Sequence, residues 1–232
     1  MKRQWRWILI LATVALFLTG WTAFSSDQET PAAAADPGGE KTSLGARTAI
    51  IPTLAWVIGS YDAAGRPNLM TSSWAGVCAS RPAAVMIGLR PATYTHGNIM
   101  ARKAFTVNIG GADLARYAAY VGRVSGRTTD KFTATGLTPV KSAVVDAPYV
   151  REFPLVVECK VTQTVEAGTH TLFIGEIVDV KADPAILNAD GVPVVEQLQP
   201  FVYSPGSGAF YGIGPALGKV ADLAATIAAD GP

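Results

Sequence analysis

The chain has 232 residues, 49% of them hydrophobic and 16% charged, proportions that exclude a disordered or fibrous protein. With 19 basic and 18 acidic side chains the net charge is +1, and no Lys/Arg run follows the first few residues, so a nucleic-acid footprint is absent. A chain of this size buries roughly 70% of the surface that its unfolded form exposes, and one main domain needs neither disulfides nor metal to be stable.

Lys2, Arg3 and Arg6 stand directly before an apolar run from Trp7 to Trp21, the pattern of a secretory signal. Ala23 and Ser25 offer the small residues of a cleavage point. Thr22 to Phe24 prolong the run, which leaves an uncleaved anchor as the alternative for residues 1–25. No cysteine is placed to accept a lipid there. The expected location is therefore the periplasm or cell envelope, with membrane contact only through this segment. Ser26 to Glu40 is rich in Ala, Pro, Gly, Asp and Glu and reads as a linker, which extends over residues 26–47. A main domain over 48–220 follows, and 221–232 are the end of a helix and a tail.

Within the domain, Leu54 to Ser60 and Pro67 to Trp74 read as a hairpin whose turn uses Asp62 and Gly65. VCASRPA reads as a loop, and the apolar AVMIGLR as a buried strand ending at Arg90. Thr95 is a candidate cap for a helix through Lys103 with Ile99 inward, and FTVNI is the next strand. Asp113 is a candidate cap for a helix from Leu114 to Val124, where Leu114, Tyr117, Ala118 and Val121 form a core-facing stripe. In Leu155 to Val161, alternation sets Leu155, Val157, Cys159 and Val161 against a partly solvated Val156, Glu158 and Lys160, and Thr171 to Val180 supplies a hairpin partner. Pro215 to Ala229 is expected to be helical. Short, mostly antiparallel strands interrupted by helices predict a mainly β or α+β domain.

There is no GxGxxG after a strand, no P-loop, no HExxH and no Ser/His/Asp pattern. Glu158, Glu166 and Glu176 lack the pairing that hydrolytic chemistry uses. Two histidines and two cysteines, Cys78 and Cys159, argue against a metal site, and Cys159 on an apolar strand face is expected to be a buried free thiol.

GRPNLMTSSWAGVCASRPAAVMIGLRPATYT, FTVNI, DKF, HTLFIGEIVDV and FYGIGPALGKV, in that order, resemble the successive signatures of flavoredoxin-like members of the flavin reductase family. The resemblance implies a six-stranded antiparallel split β-barrel of Greek-key type that forms a homodimer, with one FMN held non-covalently near each end of the interface. The residues themselves agree with an FMN site. Thr71, Ser72, Ser73, Arg90, Thr93, Thr95 and Lys131 offer hydroxyl and cationic donors for a phosphate and ribityl chain. The resemblance places Trp74, Thr95, Lys131 and His170 against the flavin, and main-chain groups of Cys78, Ala79 and Ser80 against its ring. His170 resembles the active-site histidine of the family, although Thr169 stands where family members often carry an acid. His96 adjoins the helix start that is a candidate for phosphate. Tyr203, Phe210 and Tyr211 resemble aromatic residues that close over the flavin, with a PGSG insertion between them, and Tyr211 is taken as the candidate. The expected function is electron transfer through FMN, either as an NAD(P)H-dependent reductase or as a carrier served by a donor or acceptor protein. The alternative is a non-catalytic split barrel holding another ligand such as haem.

Overall fold

The computed structural model describes residues 39–229. The segment read as an export signal, and the linker up to residue 38, lie outside them. Residues 39–47 are exposed and lack regular structure, and a compact unit runs from Thr48 onward.

Its strands are β1 (Thr53–Leu54), β2 (Trp56–Tyr61), β3 (Pro67–Ser72), β4 (Ala75–Ser80), β5 (Ala83–Leu89), β6 (Ala104–Ile109), β7 (Pro139–Lys141), β8 (Pro148–Val150), β9 (Leu155–Ala167), β10 (His170–Ala182), β11 (Phe201–Ser204) and β12 (Ala209–Gly212). Its helices are α1 (Tyr94–Arg102), α2 (Ala115–Arg123), α3 (Lys131–Thr135), α4 (Val195–Leu198) and α5 (Val220–Ala229). Seven strands form one antiparallel sheet in the order β3-β2-β6-β9-β10-β5-β4. This is the antiparallel split barrel expected from the sequence, with one more strand than expected and with β3 and β4 as its two free edges. A small sheet, β1-β11-β12, lies beside it.

Both faces of β2 are buried, which is why its apolar run is continuous. Trp56 and Ile58 point into the barrel among Val85, Ile87, Phe105, Cys159 and Phe173. Val57 and Leu69 point outward into a second core with Ala118, Val121, Phe132, Val150 and Phe201. The barrel interior closes tightly at Gly175, where an added Cβ would stand 2.5 Å from Phe105 Cζ. Burial of such aromatic and aliphatic side chains contributes about 1.5–3 kcal/mol each.

Several expectations are corrected. Cys78, Ala79 and Ser80 lie on the edge strand β4 and not in a loop, because residues 75–80 pair with β5. Thr93, not Thr95, caps α1, its Oγ1 accepting from His96 N at 3.3 Å. Asp113 makes no capping bond and sits inside a 3-10 turn, Ala112–Leu114, that precedes α2. The C-terminal helix begins at Val220, so Pro215 does not open it. Glu158, expected on a solvated face, is fully buried, because Lys181 of β10 reaches over to pair with it. Cys159 is a buried free thiol, as expected, while Cys78 is free and exposed.

Candidate functional site

The two free edges of the barrel are consecutive in sequence. Only Ser73 and Trp74 separate β3 from β4, and Gly88 N of β5 donates to Trp74 O at 2.7 Å, which continues the β4–β5 ladder by one residue into the link. The link itself is a bend, so the strand alternation of β3 is not carried through it. Thr71 and Ser73 face a cavity of about 240 Å³ between the link, α2 and the β11–β12 hairpin, closed by Gly122, Arg123, Tyr203 and Phe210. Ser72 turns inward, 3% exposed, with its hydroxyl 3.4 Å from Trp74 O. Trp74 turns to the other side and stacks on His170, with ring centroids 5.9 Å apart and planes 2° apart.

The cavity gathers part of the expected donor set. Thr71 Oγ1 donates to Ala118 O at 2.6 Å, so only its acceptor side is left, whereas the Ser73 hydroxyl has no protein partner among the described residues. Arg123 was missed by sequence reasoning, and its guanidinium makes no ion pair or side-chain hydrogen bond among the described residues. A cation in the last turn of α2 was the available signal. Lys131 lies deeper than a surface donor: it is 4% exposed, and Nζ donates to Leu69 O at 2.6 Å and Val121 O at 2.7 Å. Val121 adjoins Gly122 of the cavity wall and Leu69 lies two residues before Thr71, and burial lowers the ammonium pKa to about 8. Two of its three N–H groups are thereby engaged.

Tyr203 and Phe210 meet edge to face, 5.5 Å between centroids, on the cavity side of their hairpin. Tyr211 is the next residue along β12 and therefore faces away; it is 51% exposed with its hydroxyl 3.2 Å from Ser207 Oγ. Of the three aromatic residues, Tyr203 and Phe210 line this cavity and Tyr211 does not. Thr95 is also apart from it, 2% exposed with Oγ1 accepting from Asn68 Nδ2 at 2.9 Å. Arg90 and Thr93 share the turn before α1, where Thr93 Oγ1 donates to Arg90 O at 2.9 Å, and Arg90 is exposed. Cys78 falls at an irregularity in the β4–β5 register, between Val77 and Ala79, so its main chain is not opposed by a β5 residue.

His170 and Thr171 point to opposite faces of β10. On the Trp74 face, His170 Nδ1 lies 2.9 Å from Thr169 Oγ1, so the residue in place of the acid holds the ring through a hydroxyl. On the inner face, Thr171 is 1% exposed and its Oγ1 donates to the Glu166 carboxylate at 3.0 and 3.1 Å. A hydroxyl has one proton, so the 2.9 Å contact with His96 Nε2 requires the imidazole to donate, which fixes His96 as the Nε2–H tautomer. Burial lowers the His96 pKa, and the Glu166 charge opposes that shift.

Comparison with known proteins places this geometry. Residues 47–207 match the flavin reductase like domain. The solved flavoredoxin of Desulfovibrio vulgaris (Miyazaki F) is 45% identical, superposes with a TM-score of 0.74, and covers 78% of this chain and 97% of its own. The NADH:riboflavin 5'-phosphate oxidoreductase of Streptomyces pristinaespiralis is 29% identical over 130 residues, 56% of this chain and 71% of that protein. The ferric-chelate reductase (NAD(P)H) of Archaeoglobus fulgidus is 29% identical over 103 residues, 44% of this chain and 60% of that protein. With residues 47–207 matched, well over half of its length, the chain belongs to the flavin reductase like domain family.

Proposed function

We propose that this domain binds FMN across the Ser73–Trp74 link and passes electrons between a donor and an acceptor. The observation that carries the reading is that one two-residue link joins a cavity that combines apolar walls with the Thr71 and Ser73 hydroxyls and Arg123 to a stacked Trp74–His170 pair. The residues fit the group. A dianionic phosphate finds Arg123 and the Ser73 hydroxyl, a ribityl chain finds the Thr71 acceptor, and the Tyr203 and Phe210 edges give apolar walls. The remaining Lys131 N–H lies beneath. A flat ring system finds Trp74, with His170 as the orienting group at its edge. Main-chain groups at the Cys78 irregularity and on the free edge of β4 are open to pair with ring heteroatoms.

When bound, the flavin supplies the redox chemistry, and the protein supplies position, potential and access. The names of the flavoredoxin and of the two reductases above support this class of chemistry. Two donors fit it: a nicotinamide nucleotide, or an envelope partner protein that serves an exported carrier. Trp74 and the neighbouring outer sheet face also suit a homodimer. The test is an absorbance spectrum of the purified protein before and after NADH, NADPH and FMN under anaerobic conditions. Bound flavin bleached by a nicotinamide establishes a reductase, and bound flavin bleached only by dithionite establishes a carrier. Failure to bind FMN overturns the proposal. Protease protection in fractionated cells reports which side of the membrane the domain occupies.

A further inference from the structure

A net charge of +1 conceals an uneven distribution along the chain. Residues 63–129 carry eight Lys or Arg against one acid, Asp113, whereas residues 130–196 carry ten acids against five cations. β3, the Ser73–Trp74 link and α2, which wall the cavity around Thr71 and Ser73, all lie in the cationic stretch. The cations of α2 share its outer face. Arg116, Tyr120 and Arg123 recur at spacings of four and three, which sets them in one row about 10 Å long, while Ala118 and Val121 are buried on the inner side. All three residues of the row are exposed, Tyr120 by 39%.

The row continues beyond the helix. Arg127, four residues after Arg123, lies with its guanidinium 5.5 Å over the Tyr94 ring and donates through Nη1 to Ala92 O at 2.9 Å. Ala92 belongs to the turn that Thr93 N closes on Arg90 O at 2.9 Å, so the exposed Arg90 adjoins it. None of these four guanidiniums forms an ion pair among the described residues. The carboxylates around them are engaged elsewhere. Asp62 accepts from Arg66 Nε and Tyr94 Oη, both at 2.7 Å, and Asp130 caps α3 through Thr133. Asp113, three residues before Arg116, forms no ion pair among the described residues either and offsets one of the four charges.

We propose that this face, the row of Arg116, Tyr120 and Arg123 with Arg127 and Arg90, is the docking surface for the acidic side of an electron-transfer protein. The role rests on the flavin reading above: Arg123 ends the row and also lines the cavity, which brings a docked carrier to the edge of that site. Charge complementarity names the partner. Guanidinium forks match carboxylates in bidentate pairs, Arg and Tyr are enriched where proteins meet while Lys is depleted, and the cations of this face are four Arg and no Lys. Unpaired charge of one sign around the mouth of a site also speeds the approach of a partner of the other sign. A lipid surface would call for apolar groups inserted among the cations, and Tyr120 is the one large apolar side chain that the row exposes. A one-electron carrier leaves one electron per contact, so two contacts and two protons from solvent account for full reduction of the flavin.

The test is calorimetric titration of the whole purified protein with a plant-type 2Fe–2S ferredoxin, an acidic one-electron carrier, after FMN content has been read by absorbance in the same samples. Binding is expected at low salt, and raising the salt from about 20 to about 200 mM should weaken it by about tenfold or more. Arg116→Glu combined with Arg127→Glu should weaken it by about a hundredfold, Arg123 being left in place because it lines the cavity. Lys141→Glu combined with Arg151→Glu changes the net charge equally at two exposed residues on and just after the β7–β8 pair, and should bind within about twofold of the wild type. FMN content and thermal midpoint should match the wild type in both double variants. Ferredoxin binding by protein that takes up no FMN supports the surface and removes the flavin reading. The proposal is overturned when ferredoxin does not bind, or when the two double variants bind it alike. It is also overturned when vesicles of phosphatidylglycerol bind in place of ferredoxin and lose that binding in the Arg116 and Arg127 variant, which assigns the face to a membrane.

Discussion

Trp74 and His170 lie ring against ring with their planes 2° apart, although one belongs to the link between the two barrel edges and the other opens the hairpin strand β10. On the FMN reading the pair forms one wall. Trp74→Ala should weaken FMN binding by about tenfold, and His170→Ala should do so by less, because the indole is the larger surface. Flavin fluorescence titration of each variant measures this, and equal affinity in both would show that the ring does not rest there.

Lys131 predicts a stability profile in alkali. Its folded-state pKa, lowered by burial to about 8, lies below the ordinary value of 10.5, so between these values the unfolded chain holds the proton that the folded chain releases. Stability therefore rises as pH increases from about 8 toward 10.5, by at most about 3 kcal/mol. Lys131→Met should flatten that rise. Urea midpoints of the two proteins at pH 7.5 and 10, compared as differences, give the readout.

Glu158 is buried under Lys181, which also reaches Asp179. Glu158 Oε1 has no partner among the described residues, so the carboxylate depends on the single cation. Removing the ammonium in Lys181→Ala should cost about 3 kcal/mol, since an unpaired buried charge is left behind. Pairing Lys181→Met with Glu158→Leu should recover most of the loss. Denaturant unfolding of the single and double variants checks this, and a double variant no better than the single would show that the pair stabilises by more than mutual neutralisation.

The two thiols should differ sharply in reactivity. Burial pushes the Cys159 pKa up to about 12, and Cys78 is exposed on an edge strand. A colorimetric thiol reagent at pH 8 should label Cys78 within the mixing period in the native protein and reach Cys159 only after denaturation. Fast labelling of Cys159 in the folded protein would mean that the barrel opens readily.

The barrel strands were legible because their signals are local. Alternation in Leu155 to Val161 and the apolar run around Ile87 need no knowledge of partners. β4 was not legible: AGVCAS is built mostly of small residues and is largely exposed, and it is a strand only because β5 folds back to pair with it. Thr95 read as a cap from its neighbours in sequence, yet Asn68 claims its hydroxyl from another strand. Glu158 sat in an alternating pattern, and its burial depends on Lys181 reaching across from β10, which periodicity cannot express. For the candidate site, Thr71, Ser73 and Trp74 were visible as a motif. Arg123 was not, since only the packing of α2 on β3 brings its guanidinium to their cavity.

The shortness of the Ser73–Trp74 link sets how the split can open. β3 and β4 are not hydrogen-bonded to each other, yet they are tied at Ser72 and Ala75, so the gap between them is a wedge with its apex at that tie and its mouth toward Pro67 and Ser80. At the apex the distance between the two edges is therefore set by covalent connection, whereas toward the open end it is set only by what each strand packs against.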